Sequence, residues 1–186
     1  MGGGFRSAIA LVFLGMALAA CVIVPPESRS RTDGDGPGWK LESSRHALPS
    51  GAYAIRHLAT GRYMDAYQTE KMDYALITRP PQDNDTQIWT LERLGGNAYS
   101  MQQASSERFV DAYERAERDF RLVTRRPQYD STQVWIVRRV HDNVYTIQQE
   151  STGRYVDASR SKKTDFRLVT RPAKKGDAQK WVFEAY

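Results

Sequence analysis

The chain repeats itself. Tyr53, Tyr99 and Tyr145 stand 46 residues apart, and the same interval separates Arg62, Arg108 and Arg154; Asp65, Asp111 and Asp157; and Trp89, Trp135 and Trp181. The heptapeptide DFRLVTR occupies Asp119 to Arg125 and returns at Asp165 to Arg171, with a looser copy, DYALITR, from Asp73 to Arg79. The period holds without insertion from about Ser50 to Tyr186. A unit of this length cannot bury its own apolar face, so a fixed period in the range of roughly 20–50 residues implies copies that stack or rotate about one shared core.

Within each copy the pattern is of strands. In the first, AYAIRHL, RYMDAYQ, DYALITR and TQIWTLERL are short, β-branched and aromatic, and turn-forming TG, TEKM, PPQDN and GG are interspersed. DFRLVTR alternates, with Phe120, Leu122 and Thr124 on one face and Arg121, Val123 and Arg125 on the other, which predicts a half-buried strand. Four strands per unit and three units give about twelve short strands. Their edges must be paired, so the arrangement has to close.

The end of each unit selects among closed arrangements. TQIW ends at Trp89, TQVW at Trp135 and AQKW at Trp181, giving Gln-x-Trp three times in register: Gln87 and Trp89, Gln133 and Trp135, Gln179 and Trp181. Across about three quarters of the chain this pattern resembles the ricin B-chain type lectin family. The resemblance implies an all-β fold, a β-trefoil of three 46-residue, four-stranded repeats with pseudo-threefold symmetry, at about 49–94, 95–140 and 141–186. Large aromatics at equivalent positions are most simply core residues, and the three Gln side chains are expected to bond nearby backbone. These six residues report the fold rather than the function.

The resemblance also implies function. In that family each unit can offer a shallow sugar site, in which an Asp accepts hydroxyl hydrogen bonds, an aromatic ring stacks on the sugar and an Asn beside Gln-x-Trp completes the set. YMDAY, FVDAY and YVDAS supply Asp65, Asp111 and Asp157 at the matching position, with Tyr67 and Tyr113 two residues on, sharing the Asp's strand face. Ser159 replaces the Tyr in the third unit, which predicts a weaker or differently specific third site. The Asn position holds Thr86, Thr132 and Ala178, and the expected stacking position holds Ile77, Val123 and Val169. A galactose-type site is therefore not simply transferable. The bland alternative is that each Asp satisfies a turn or pairs with Arg62, Arg108 or Arg154, three residues earlier.

Arg79, Arg125 and Arg171, with Arg121 and Arg167, suit carboxylate or phosphate recognition, so acidic glycans or phosphorylated envelope lipids join the expected partners. The formal charge of +5, from 27 Lys and Arg against 22 Asp and Glu, is too balanced for a nucleic-acid binder. His46, His57 and His141 occupy no repeated position, and no metal-ligand spacing, phosphate loop or nucleophile with its base is visible. No cofactor, metal or enzymatic activity is expected. Polar residues repeated symmetrically suit avidity instead.

The first residues carry a further expectation. MGGGFR precedes the apolar run SAIALVFLGMALAA, too short to span a bilayer comfortably, and LAAC at Leu18 to Cys21 resembles a bacterial lipobox. Residues 1–20 then read as a lipoprotein-type signal peptide, Cys21 as the lipidation site, residues 21–48 as a flexible linker and 49–186 as the trefoil. Ordinary secretory cleavage after Ala19 is the alternative. The expected product is a lipid-tethered lectin of the bacterial cell envelope. Tether plus trefoil also resembles the surface-binding subunit of cytolethal distending toxins. The main competing function is a protein-binding trefoil, which strongly divergent loops would favour; PPQDND, RPQYDS and AKKGDA differ only moderately.

Overall fold

The computed structural model describes residues 47–186. The signal-type segment, Cys21, Trp39 and His46 lie outside them. The described residues form twelve β-strands, joined by turns and single turns of 3-10 helix.

Six strands close a barrel. They are β1 (Gly51–His57), β4 (Ile88–Gly95), β5 (Ala98–Gln103), β8 (Trp135–His141), β9 (Val144–Gln149) and β12 (Trp181–Ala185). Each pairs antiparallel with the next, and β12 returns to β1, so this ring leaves no edge. The other six form three hairpins: β2 (Tyr63–Ala66) with β3 (Leu76–Arg79), β6 (Phe109–Ala112) with β7 (Leu122–Arg125), and β10 (Tyr155–Ala158) with β11 (Leu168–Arg171). Each 46-residue unit contributes four barrel or hairpin strands in the same order, which is the β-trefoil arrangement that the resemblance implies.

The core is built in threefold sets. Trp89, Trp135 and Trp181 are fully buried, and Tyr53, Tyr99 and Tyr145 lie directly across the strand ladder from them. Ile55, Met101 and Ile147 form a second buried set, and Leu76, Leu122 and Leu168 a third. One set is uneven in size: Phe183 stands at the position of Leu91 and Val137, and its ring meets Tyr145 edge-on at 5.1 Å. Each of these three indole N–H groups finds a backbone acceptor in its own unit, on Met64, Val110 or Val156, at 3.0–3.2 Å.

DFRLVTR is not one half-buried strand. Asp119 and Phe120 are left-handed, at φ 52° and 49°, and only Leu122–Arg125 is strand. Leu122, Val123 and Thr124 are all buried, so the expected alternation fails. The reason is that β3, β7 and β11 meet one another where the units converge. Ala75 bridges Val123, Arg121 bridges Val169, and Ile77 bridges Arg167. The face that would look outward on an isolated hairpin is covered by the next unit.

The left-handed pairs Asp73–Tyr74, Asp119–Phe120 and Asp165–Phe166 make that junction. Asp tolerates the left-handed region and an aromatic residue does not, at a cost of roughly 1–2 kcal/mol. The compensation is intersubunit-like contact within one chain. The carbonyls of Tyr74, Phe120 and Phe166 accept the Thr124, Thr170 and Thr78 N–H groups of neighbouring units at 2.9–3.0 Å. Their rings lie under Arg108, Arg154 and Arg62 at 3.7–3.8 Å, and those three guanidinium groups also donate to the Thr124, Thr170 and Thr78 carbonyls. The motif written three times is a three-way interlock.

Candidate functional site

The candidate site grows out of each β-hairpin. Asp65, Asp111 and Asp157 lie on β2, β6 and β10, and their residue partners across the hairpin are Ile77, Val123 and Val169. An aliphatic residue therefore stands where a stacking ring was sought. All three carboxyl groups are on buried residues. In the first two units Oδ1 accepts the N–H of the following Ala at 2.7 Å, an Asx-type contact that aims the other oxygen outward from the strand. None of them pairs with Arg62, Arg108 or Arg154, which are committed to the interlock.

The Gln residues of Gln-x-Trp brace the loop that walls the site. Nε2 of Gln87, Gln133 and Gln179 donates to Pro80, Arg126 and Pro172 carbonyls at 2.9 Å in each case, and Oε1 accepts the Gln82, Gln128 and Lys174 N–H groups. In unit three Gln179 also reaches Oδ2 of Asp157, at 3.2 Å. The motif thus ties fold to site.

The three carboxylates differ in their company. Oδ2 of Asp157 receives the Lys174 ammonium at 3.0 Å, and Oδ2 of Asp65 has Arg79 Nε at 3.7 Å and Gln87 at 3.4 Å. At the position of Lys174, unit two has Gln128. Among the described residues no cationic nitrogen lies within 4.0 Å of Asp111, and Gln133 does not bond it. Burial pushes the Asp111 carboxyl above the usual carboxylate range, only partly offset by the Ala112 N–H and the nearby Thr132 and Arg125. This carboxylate floors a surface depression of about 340 Å³, walled by Tyr113, Arg125, Gln128 and Thr132.

The tyrosines turn out to be ties between units. Tyr113 donates its hydroxyl to Asp73 at 2.8 Å, and Tyr67 donates to Asp165. Arg125 lies 4.9 Å from the Tyr113 ring centroid and Arg79 5.0 Å from that of Tyr67, so each ring already carries a cation. Ser159 is too short to reach Asp119, which is held by Arg171 at 2.7 Å. The anion-binding capacity expected of Arg79, Arg125 and Arg171 is thereby largely taken up by carboxylates of this chain.

His57 is a residue that the repeat could have identified. It occupies the position of Gln103 and Gln149, and it reproduces their bonds: Nε2 faces the Ala178 carbonyl at 3.2 Å as Gln103 faces Thr86 and Gln149 faces Thr132, while Nδ1 meets the Thr60 hydroxyl at 2.9 Å. It is fully buried against Trp181, and desolvation lowers its pKa. Among the described residues no group of three or more His, Cys, Asp or Glu is placed to hold a metal ion. No helix among them is long and apolar enough to cross a membrane.

Comparison with known proteins agrees with this geometry. The family model for ricin-type beta-trefoil lectin domain-like sequences matches residues 38–122 and 131–186. A designed threefold-symmetric protein, ThreeFoil, superposes with a TM-score of 0.66 at 18% identity, covering 73% of this chain and 99% of its own. The Polyporus squamosus lectin, solved with the human-type influenza-binding epitope Neu5Acα2-6Galβ1-4GlcNAc, gives 0.65 at 19% identity over 74% of this chain and 50% of its own. The Rhizoctonia solani agglutinin gives 0.64 at 18%, covering 75% and 98%. At these identities the likeness establishes the fold. No curated protein sequence matches the chain.

Proposed function

The chain belongs to the ricin-type β-trefoil lectin-like domain family, and from that premise we propose that it is a non-enzymatic carbohydrate-binding protein whose principal site is the Asp111 depression. The observation that carries the reading is the state of that carboxylate. Asp111 is buried and raised in pKa, and it has no cation of its own within 4.0 Å among the described residues. A pair of sugar hydroxyls donating to Oδ2 would supply the missing stabilisation, with Gln128 and Thr132 able to bond flanking hydroxyls. Asp157 has Lys174 and Asp65 has Arg79 already, so their sites are secondary. The lectin complex with a sialylated epitope shows that this architecture can carry glycan recognition in another protein, and it supports the same class of ligand here.

The test is a glycan array probed with the protein and with its Asp111→Asn variant. Asn keeps the shape and the Ala112 contact but loses the charge. Spots bound by the protein and lost in the variant identify a lectin and its sugar; equal signal from both removes Asp111 from the site. Because burial disfavours the charged form, Asp111→Asn is also expected to hold or raise folding stability at neutral pH, by up to about 1 kcal/mol, while binding falls. Lost binding with lost stability would instead mark a structural residue.

The competing reading, a trefoil that binds protein through a loop, draws on Tyr129, which is 95% exposed at φ 58° in unit two. An array silent for the folded protein would favour it. We further infer that Cys21 is lipidated and that the domain is held at the cell envelope, a reading supported by the apolar run ending in LAAC. Mass spectrometry of the mature N-terminal peptide decides it: a diacylglyceryl-modified Cys21 is expected, and an unmodified thiol overturns it.

A further inference from the structure

We propose a second ligand site, for a phosphate-bearing group, where the three units converge at the tips of their hairpins. A cavity of about 320 Å³ opens there, lined by residues of every unit. Its charged walls are Lys71, Arg118, Arg121 and Arg167 against Asp73 and Asp165, an excess of two positive charges. The two carboxylates are already engaged. Asp73 accepts Arg121 at 2.5 Å and the Tyr113 hydroxyl at 2.8 Å, and Asp165 accepts the Tyr67 hydroxyl. Among the described residues Lys71, Arg118 and Arg167 have no carboxylate within 4.0 Å.

Two further observations point to an occupant. Arg121 Nε is buried and has no hydrogen-bond partner, an unusual condition for a guanidinium donor. The site is also one of the places where the repeat departs from symmetry. Arg121 and Arg167 occupy equivalent positions and the third is Ala75; Arg118 is matched by Met72 and Thr164. An arginine in place of Ala75 as well would crowd and repel Arg121 and Arg167. Two, with a small residue opposite, leave room between them for a compact dianion. Guanidinium forks suit the oxygens of a phosphate monoester, and the excess of two charges matches its charge better than that of a single carboxylate. The site is separate from the Asp111 depression and does not depend on glycan recognition there.

The experiment is isothermal titration of the purified protein with inorganic phosphate at low ionic strength, repeated with an Arg118→Thr/Arg167→Ala variant. Both substitutions copy the residue that another unit carries at the same position, and neither side chain forms a hydrogen bond or ion pair among the described residues, so folding is expected to be retained; an unchanged thermal transition checks it. An Arg126→Gln/Lys175→Gln variant removes the same charge elsewhere. Saturable binding is expected for the protein and the control, weakened about tenfold or more in the site variant. No saturable binding by the protein, or equal weakening in site variant and control, overturns the proposal. Glucose 1-phosphate and phosphatidic acid vesicles, both phosphate monoesters, then distinguish the source: tighter binding of the first assigns a phosphorylated sugar, and site-dependent vesicle binding assigns a lipid headgroup.

Discussion

A residue in a repeat protein is best read against its two counterparts, and His57 shows what that reading yields. Gln103 and Gln149 are fully buried, each donating to a carbonyl and accepting a Ser106 or Thr152 hydroxyl. His57 does the same as a neutral imidazole, its Nε2–H directed at Ala178. Protonation would place a cation in a desolvated pocket, so the folded-state pKa lies below the ordinary value near 6.5. The sign follows from linkage. Above about 6.5 both folded and unfolded chains hold a neutral His57 and nothing is lost; as the pH falls below it the unfolded chain takes the proton first, and stability declines until the folded pKa is passed. His57→Gln is therefore expected to fold as well as the parent at pH 7.5 and to lose part of the decline between pH 6.5 and 5 in urea titrations. An unchanged pH profile would show that other groups set it. Single letters mislead where triplets do not: judged alone, His57 is an unplaced histidine, and beside Gln103 and Gln149 it is a core hydrogen-bonding position.

At the scale of elements the residue pattern within the 46-residue period was enough to place four strands in each unit, and the resemblance carried by the Gln-x-Trp triplet implied that they close into a trefoil. Those signals report burial in the barrel, which every unit enters with the same strands. The hairpin tips were not legible, because their conformation depends on the neighbouring unit. Asp-Phe-Arg-Leu-Val-Thr-Arg has the alternation of a strand, yet its first two residues are left-handed, held by a carbonyl and a ring that serve a different unit. The same dependence explains the site. That Asp111 would lie on a hairpin strand could be read from the resemblance; that Lys174 covers Asp157 while Gln128 leaves Asp111 open, and that Tyr67 and Tyr113 are ties, required the packing. The left-handed turn makes an unusual demand that can be measured. Phe120→Ala removes the ring beneath Arg154 and keeps the backbone cost, for an expected loss of about 2–3 kcal/mol. Phe120→Gly removes the same ring and relieves the backbone, so it should be the milder change by about 1 kcal/mol, reversing the usual order of Ala and Gly. Denaturant midpoints of the two variants check it, and Gly faring worse than Ala would mean that the turn is not the constraint.

For the molecule as a whole, three units close one core, but their outer residues have diverged, and unit three departs at two positions of the candidate site. Tyr113 of unit two ties to Asp73 of unit one, and Tyr67 of unit one ties to Asp165 of unit three. The third tie, from unit three to Asp119 of unit two, is missing because residue 159 is Ser. In the same unit Lys174 occupies the carboxylate that Gln128 leaves open in unit two. Ser159→Tyr should complete the ring of ties, adding about 0.5–1.5 kcal/mol for one more intramolecular hydrogen bond. Lys174→Gln should uncover Asp157 and lose some stability with the ion pair. Together they give unit three the residues that unit two carries at those two positions, and the two effects on stability oppose each other. The functional consequence is larger and depends on valency. A second open carboxylate site leaves the affinity for a single free sugar per site near that of the parent, but it converts a surface bearing many copies of that sugar into a two-point ligand. The Ser159→Tyr/Lys174→Gln variant is expected to dissociate from a densely glycosylated surface at least about tenfold more slowly than the parent, with little change in monovalent affinity. Surface plasmon resonance at high and low ligand density separates the two. If the gain persists at low density, where two sites cannot engage together, the substitutions have improved one site rather than opened another, and the units do not act as independent points of contact.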